Sequence, residues 1–232
     1  MTSNAISSHV ALIAGASGLV GGECLRLLLL SEDYNQVIAL VRQPVELAHP
    51  KLRQLIVDFA NLPELPECAG ADVFSALGTT MKQAGSREAF RKVDFDANLS
   101  LASLAAKGGA CQFVLVSSVS ADAHSSTFYL KVKGELEDAL KALSFRSLHI
   151  FRPSFLAGDR LGSRQSERVG VAVTRALDFV FVGSLKKFSA LDVDALAIAM
   201  LNVARRAEPG VHIYEYEQIL ELAESYPTYE SR

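Results

Sequence analysis

A tyrosine and a lysine stand four residues apart in the segment Tyr129-Leu-Lys-Val-Lys133. On a helix this spacing places the phenol and the ammonium on one face, so that both can enter the same cleft. The phenol of free tyrosine has a pKa of about 10, and a nearby cation favours its phenolate, which Lys133 would supply. Ser117 and Ser118 follow an apolar run at 113–116 and could hold a carbonyl or alcohol oxygen beside the phenol. These residues predict general acid–base chemistry.

A glycine-rich turn follows directly on the apolar run at 10–14. Glycines recur there at every third position, and a backbone without Cβ atoms can approach a ligand closely. A helix predicted over about 19–30 points its amino end at this turn, and its unpaired N–H groups and dipole favour a phosphate. The pyrophosphate of a dinucleotide is therefore predicted to contact Gly15, Ser17, Gly18, Leu19, Val20 and Gly21.

The second apolar run, at 36–41, ends at Arg42. An acidic residue at this point would accept a hydrogen bond from the 2′-hydroxyl of an NAD ribose, whereas a guanidinium suits the 2′-phosphate of NADP. Arg42 therefore favours NADP(H) as the cofactor. The alternative is that Arg42 is only a solvated side chain at a strand end.

Short β-branched runs alternate with helical segments along most of the chain. The predicted strands are 10–14, 36–41, 54–57, 72–75, 113–116 and 148–151. Apolar residues recur with a helical period over 19–30, 87–107 and 129–143. This alternation predicts the α/β fold class, as a doubly wound parallel Rossmann sheet with helices on both faces.

The composition becomes loop-like after Arg152, before further helical stretches at about 169–182 and 192–206. We expect residues 1–152 to form the NAD(P)-binding core and residues 153–232 to form a small C-terminal substrate-binding appendage, packed on the core and not an independent domain. Residues 154–187 would supply the substrate pocket and a lid, and 211–224 the closing strand and helix of the appendage. Arg160, Arg164 and Arg168 could recognise an anionic substrate, although a solvated loop face explains them better.

Seven short motifs run along the chain in the order GASGLVG, VR, DF, SALG, VSSVSAD, YLKVKGELE and FRP. In order and approximate spacing they resemble the motifs of the atypical short-chain dehydrogenase/reductases, and most of all the branch related to the Tat-interacting protein. The resemblance spans roughly residues 9–220. It implies a Rossmann fold, NADPH binding and a Ser–Tyr–Lys set that maps onto Ser118, Tyr129 and Lys133. Ser117 or Ser120 could take the role of the serine instead.

Further cofactor contacts are implied by the same resemblance, at residues that follow the carboxyl ends of strands. Those at the adenine and the cofactor backbone are Asp58, Phe59, Ala76, Leu77 and Gly78. Those that would flank the nicotinamide are Arg152, Pro153, Ser154 and Phe155. The segment VDFDAN departs from the pattern, because Asp94 stands where many extended relatives carry an asparagine.

Together these features predict an NADP-dependent oxidoreductase acting on a small-molecule carbonyl or alcohol. Hydride would pass between the nicotinamide and the substrate carbon while Tyr129 moves the proton, Ser118 aligns the oxygen and Lys133 binds the nicotinamide ribose. Two alternatives stay open. One is a regulatory sensor that binds NADPH with little turnover, and the other is a nucleotide-sugar epimerase or dehydratase built on the same core.

Charge and composition limit the expected partners and location. The 232 residues carry a net charge of −3 and no basic block, so neither nucleic acid nor an anionic membrane surface is expected as a partner. The first eight residues are polar and no apolar stretch approaches a membrane span, so we expect a cytoplasmic location. The cysteines and histidines are scattered without ligand spacing, so no metal site is expected. The chain would act as a monomer or a homodimer.

Overall fold

The computed structural model of the protein describes residues 9–157 and 190–225. Its strands are β1 (Val10–Ala14), β2 (Gln36–Val41), β3 (Leu52–Ile56), β4 (Asp72–Ser75), β5 (Gln112–Val116), β6 (Ser147–Phe151), β7 (Leu156–Ala157), β8 (Leu191–Asp192) and β9 (Gly210–Tyr214). Its helices are α1 (Leu19–Leu30), α2 (Met81–Ala84), α3 (Arg87–Arg91), α4 (Asn98–Lys107), α5 (Phe128–Lys141), α6 (Val193–Arg206) and α7 (Tyr216–Glu224). A π-helical segment, Lys92–Ala97, joins α3 to α4.

Seven parallel strands form one sheet in the order β3-β2-β1-β4-β5-β6-β9. The chain builds outward from β1 in one direction through β2 and β3, and then in the other direction from β4. The predicted doubly wound parallel sheet is therefore confirmed. In such a sheet the switch of direction, here between β1 and β4, opens a crevice outside the carboxyl ends of the strands, where ligands bind.

Both faces of the sheet are covered, as the near-continuous apolar strands require. On β1, Ala11 and Ile13 belong to one core cluster while Leu12 and Ala14 belong to the other. The first cluster includes buried residues of α1, α6 and α7, and the second includes residues of α4 and α5. None of the helices in the described ranges has both the length and the apolar character needed to cross a membrane.

The strand β9 belongs to the main sheet. It pairs in parallel with β6, from Ser147 opposite Gly210 to Phe151 opposite Tyr214. The prediction that residues 211–224 close an appendage is therefore wrong for this strand, because an apolar run does not reveal which sheet it completes. The predicted helix at 169–182, and Arg160, Arg164 and Arg168, lie outside the described residues. The boundary at residue 152 stays a prediction.

Candidate active site

Two of the three glycines in the turn after β1 are required by the fold itself. Gly15 has a φ of +87°, and a Cβ on it would lie 2.5 Å from the carbonyl oxygen of Ala76. A Cβ on Gly21 would lie 2.1 Å from the carbonyl oxygen of Gly15. The turn can therefore pack against both α1 and the loop after β4 only because these side chains are absent.

Gly18 has a different environment, because it is exposed and caps the amino end of α1 in an extended conformation. Its N–H donates to the carbonyl of Gly15 at 2.8 Å, and a Cβ here would lie 3.2 Å from that oxygen. No side chain caps α1, and its first turn holds no acidic residue. The first N–H groups of the helix, at Leu19, Val20 and Gly21, thus form the amino-terminal donor set that suits a phosphate.

Arg42 lies at the same edge of the sheet as the glycine turn. The register of β1 against β2 pairs Ala14 with Leu40, so Gly15 and Arg42 both follow the carboxyl ends of neighbouring strands. The side chain of Arg42 is exposed. Its contact with a cofactor ribose stays a prediction.

Asp58 and Phe59 are two of the residues predicted to contact the adenine and the cofactor backbone, and they follow β3. Asp58 is exposed, and its carboxylate accepts hydrogen bonds from the backbone N–H of Ala60 at 2.9 Å and from Asn61 at 3.0 Å. These bonds lower the pKa of Asp58 and shape the turn after β3. Phe59 packs against the core cluster that contains α4. Neither contact shows a cofactor role, which stays a prediction for both residues.

Lys133 meets a carboxylate from a distant part of the chain. Its Nζ lies 2.7 Å from Asp94 Oδ1, and the two side chains are 5% and 1% exposed. Asp94 Oδ2 accepts a hydrogen bond from the backbone N–H of Thr79 at 2.9 Å. A Cβ on Gly78 would lie 3.4 Å from Asp94 Oδ1 and 3.7 Å from Lys133 Nζ. The structure therefore brings Lys133, Gly78 and Asp94 together.

Tyr129 occupies the first turn of α5, one turn before Lys133. Its half-buried ring packs on that of Phe90, with the ring centroids 5.4 Å apart. Phe90 is fully buried. The ring of Tyr129 therefore rests on a residue of the protein interior.

The three serines after β5 differ in what their backbones and hydroxyls do. Ser117 is buried and donates a hydrogen bond to Glu137 Oε1 at 2.5 Å, which commits its hydroxyl to the scaffold. Ser120 has a φ of +61° within a tight turn. Ser118 is half-buried, and its Oγ makes only a long contact of 3.4 Å to the carbonyl of Val119. Geometry therefore favours Ser118 over Ser117 for binding a substrate oxygen.

A glycine in α5 explains how a short loop can join Ser118 to Tyr129. A Cβ on Gly134 would lie 2.1 Å from the backbone nitrogen of Ala123. The N–H of Asp122 also donates to the carbonyl of Leu130 at 3.1 Å. The loop therefore rests directly on the helix.

The residues predicted to flank the nicotinamide serve several purposes. Arg152 forms an ion pair with Glu137 at 2.6 Å, and the hydrogen bond to that carboxylate raises the pKa of the guanidinium. Pro153 is buried, and its carbonyl accepts a hydrogen bond from the N–H of Val119 at 2.9 Å. Ser154 is half-buried, and Phe155 is 64% exposed. The guanidinium is thus held within the scaffold, and a cofactor contact by any of the four stays a prediction.

Two members of the site, Asp94 and Glu137, were not assigned a role from the sequence. Glu137 stands four residues after Lys133, which places it on the same helix face. This spacing was the sequence signal that could have identified Glu137. Within the described parts of the chain, no group of three or more histidine, cysteine or acidic side chains is arranged to hold a metal ion.

Known proteins resemble this chain over most of its length. A family model described as HIM1 matches residues 31–179. Protein FMP52, mitochondrial, from Debaryomyces hansenii is 34% identical over 203 residues, which make up 86% of this chain and 88% of that protein. Protein HTATIP2 from Rattus norvegicus is 41% identical over 160 residues, or 67% of this chain and 66% of that protein. These matches confirm the resemblance to the Tat-interacting branch.

Solved structures share the fold at low sequence identity. MoeE5 in complex with UDP-glucose and NAD has a TM-score of 0.67 at 16% identity, over 92% of this chain and 81% of that chain. The dTDP-glucose 4,6-dehydratase DesIV from Streptomyces venezuelae, solved with NAD bound, has a TM-score of 0.67 at 16% identity, over 93% and 80%. At this identity the likeness concerns the fold alone.

The predicted cytoplasmic location is wrong on this evidence. The FMP52 relatives from Debaryomyces hansenii, Candida albicans and Emericella nidulans are named as mitochondrial proteins. The prediction used the polar first residues and the lack of a long apolar stretch, and neither feature separates the cytoplasm from the interior of an organelle.

Proposed function

The chain belongs to the HIM1 family, and from that premise and the geometry of the site we propose that it is an NADP-dependent oxidoreductase. It would transfer hydride between the nicotinamide and the carbon of a carbonyl or an alcohol, with a small molecule as substrate. Residues up to 152 would bind the cofactor, and the later region would contribute to the substrate side.

One structural observation carries this proposal. The segment Ala76–Gly78 touches both halves of the candidate site. Its first residue lies against Gly15 of the phosphate-binding turn, and its last residue lies beside the Nζ of Lys133. A molecule that runs along this segment would therefore meet the glycine turn at one end and the ammonium of Lys133 at the other. In a nicotinamide dinucleotide, the pyrophosphate would occupy the first place and the nicotinamide ribose the second.

The residues present fit the cofactor. Gly18 is exposed and leaves the backbone of the turn uncovered by a side chain, and the amino end of α1 offers N–H donors to the pyrophosphate. Arg42 would pair with the 2′-phosphate of NADP. When bound, the cofactor supplies or accepts the hydride at its nicotinamide.

The protein's own side chains would handle the proton and the orientation of the substrate. Tyr129 would donate a proton to the carbonyl oxygen in reduction and take it back in oxidation. Ser118 would hydrogen-bond to the same oxygen and align it. Lys133 would bind the nicotinamide ribose. The phenol ring packs on the ring of Phe90.

A second candidate is an NADPH sensor with little turnover. It is favoured by one observation, that the charge of Lys133 is neutralised by Asp94 where many extended relatives carry an asparagine. A sensor needs the glycine turn and Arg42, but it has no need of Tyr129 and Ser118.

Binding and turnover measured side by side test these proposals. Calorimetry with NADPH and NADH should show binding, with NADPH the tighter ligand. NADPH oxidation against a panel of aldehydes, ketones and quinones should then show turnover with at least one class. Tight binding without turnover on any substrate would support the sensor. A protein that binds neither cofactor would contradict both.

A further inference from the structure

The buried carboxylate of Asp94 contacts two parts of the candidate site at once. Its Oδ1 pairs with Lys133 Nζ at 2.7 Å, and its Oδ2 accepts from the backbone N–H of Thr79 at 2.9 Å. Thr79 directly follows Ala76–Gly78, the segment against which the cofactor would lie. One carboxylate thus joins the lysine of α5 to the loop after β4.

The π-helical segment Lys92–Ala97 places Asp94 in this position, and Asn98 fastens the segment to the same loop. The Asn98 amide donates to the carbonyls of Leu77 at 3.3 Å and Val93 at 3.2 Å. Its oxygen accepts from Ser75 Oγ at 2.6 Å. Asp94 and Asn98, which are four residues apart, therefore hold the end of β4 and the loop that follows it.

The negative charge of Asp94, which an amide would lack, is what holds the ammonium of Lys133. An asparagine at position 94 could still accept from Thr79, but it would carry no charge to hold the ammonium of Lys133. Both side chains are nearly inaccessible to water, so the ammonium would lose its counter-charge in an environment where solvent cannot replace it. The position of Lys133 therefore depends on the charge of Asp94.

We propose that Asp94 is a positioning residue that couples Lys133 to the cofactor-binding loop after β4. This inference rests on the proposed function, since it assumes that Lys133 contacts the nicotinamide ribose. A cofactor that binds against Ala76–Gly78 would then contact Lys133 in a position that Asp94 has already fixed. Asp94 itself does not touch the reacting atoms.

A double-mutant cycle tests the coupling, with Asp94→Asn, Lys133→Met and the double variant compared with the parent. Calorimetry gives the Kd for NADPH, and thermal unfolding gives Tm. Each single substitution should raise the Kd by ~10-fold or more, the scale of one charge-assisted hydrogen bond. The double variant should bind no more weakly than Lys133→Met, because no ammonium is left to position.

Stability should follow a different pattern from affinity. Lys133→Met leaves the Asp94 carboxylate buried without a counter-charge, so Tm should fall. Adding Asp94→Asn removes that charge and should restore part of the loss in Tm while NADPH affinity stays low. A merely structural role of Asp94 would not separate the two measurements. Asp96→Asn, an exposed neighbour in the same π-helical segment, is the control and should change neither.

The outcomes separate this inference from the proposed function. Additive effects of the two substitutions on Kd, or a Tm that falls further in the double variant, would overturn the coupling while NADPH binding by the parent still supports the cofactor site. A parent that does not bind NADPH would contradict the proposed function itself. If Lys133→Met does not fold, the comparison of Asp94→Asn with Asp96→Asn decides, because equal Kd values would overturn the inference.

Discussion

Arg152 donates hydrogen bonds to both oxygens of the buried carboxylate of Glu137, from Nη2 to Oε2 at 2.6 Å and from Nε to Oε1 at 3.1 Å and to Oε2 at 3.3 Å. Glu137 lies on α5 one turn beyond Lys133, and Ser117 at the end of β5 donates to the same carboxylate. The pair therefore fixes the ends of β5 and β6 against the helix that carries Tyr129 and Lys133.

Glu137→Gln should destabilise the protein by about 3 kcal/mol, the scale for breaking a buried ion pair. The side chains of Arg152 and Glu137 are 20% and 1% exposed, so water replaces the lost partner poorly. Urea unfolding measures the change. Asp138→Asn is the control, because Asp138 pairs with Lys141 on the exposed side of α5 and should cost less than about 1 kcal/mol. Equal losses would show that burial of the pair is irrelevant.

Gly18→Val should weaken NADPH binding by at least ~10-fold, because its side chain would occupy the space that the pyrophosphate needs. The fold should survive, since a Cβ at this position meets only the Gly15 oxygen, at 3.2 Å. Gly21→Ala is the matched comparison and should lower Tm, because its Cβ would overlap the backbone of Gly15. Calorimetry and thermal unfolding of both variants check the contrast. Unchanged NADPH affinity in Gly18→Val would remove the basis for placing the pyrophosphate here.

Tyr129→Phe should lower kcat by about 10²-fold or more, the usual scale of general acid catalysis. The ring and its packing on Phe90 are retained, so the Kd for NADPH should stay close to that of the parent. Steady-state kinetics on the best substrate of the panel, together with calorimetry, measure both quantities. Full activity of the variant would show that another group or water supplies the proton.

Arg42→Asp should reverse the choice of cofactor. In the parent, charge-assisted hydrogen bonds to the 2′-phosphate should make NADPH bind at least ~10-fold more tightly than NADH. The aspartate would repel the phosphate and accept from the free hydroxyl of NADH. Dissociation constants of both cofactors for the two proteins decide the matter. A preference untouched by the substitution would leave Arg42 as a solvated side chain.

His149 should make the protein less stable in acid. Burial, and then the nearby His212, lower its pKa to about 4, and its Nδ1 lies 3.0 Å from the hydroxyl of Tyr214. Since histidine in the unfolded chain ionises near 6.5, the unfolded state takes up the proton first as the pH falls. The free energy of unfolding should therefore drop by roughly 3 kcal/mol between pH 6.5 and pH 4. Urea unfolding across this range should show the drop, and His149→Phe should remove it.

His9 serves as the control, because its shift has the opposite sign. The hydrogen bond to Asp72, at 2.7 Å, raises the pKa of His9 above 6.5. Its stabilising contribution is complete below pH 6.5 and is lost as the pH rises through the raised pKa. His9→Gln should therefore change the pH profile above 6.5 and leave the acid limb intact. If His9→Gln flattened the acid limb of the profile, that limb would come from His9 and not from His149.

Much of the fold could be predicted because local sequence patterns mark where its strands and helices begin and end. The strands β1, β2 and β4 and the helix α1 begin and end where the apolar period and the glycines place them. The assignment of β9 could not be predicted, because its pairing with β6 depends on a contact between distant segments. The π-helical segment was also hidden, since the apolar spacing of 87–107 fits an ordinary helix equally well.

The site was predictable to a similar extent. The glycine turn and the Tyr129–Lys133 spacing are local patterns with a direct physical meaning. The partners of the charged residues are not local, since Asp94 reaches Lys133 and Glu137 reaches Arg152 only once the sheet order is known. Sequence reasoning thus found the reactive groups but not the carboxylates that hold them in place.

The pairing of β7 with β8 has a consequence for how relatives can diverge. Leu156 is opposite Leu191 and Ala157 is opposite Asp192, so two segments far apart in sequence lie side by side. The entropic cost of bringing two such segments together grows only with the logarithm of the number of residues between them. Insertions and deletions there would leave the seven-stranded sheet and the glycine turn untouched. Relatives can therefore differ in length at this point while they inherit the same sheet order and the same turn.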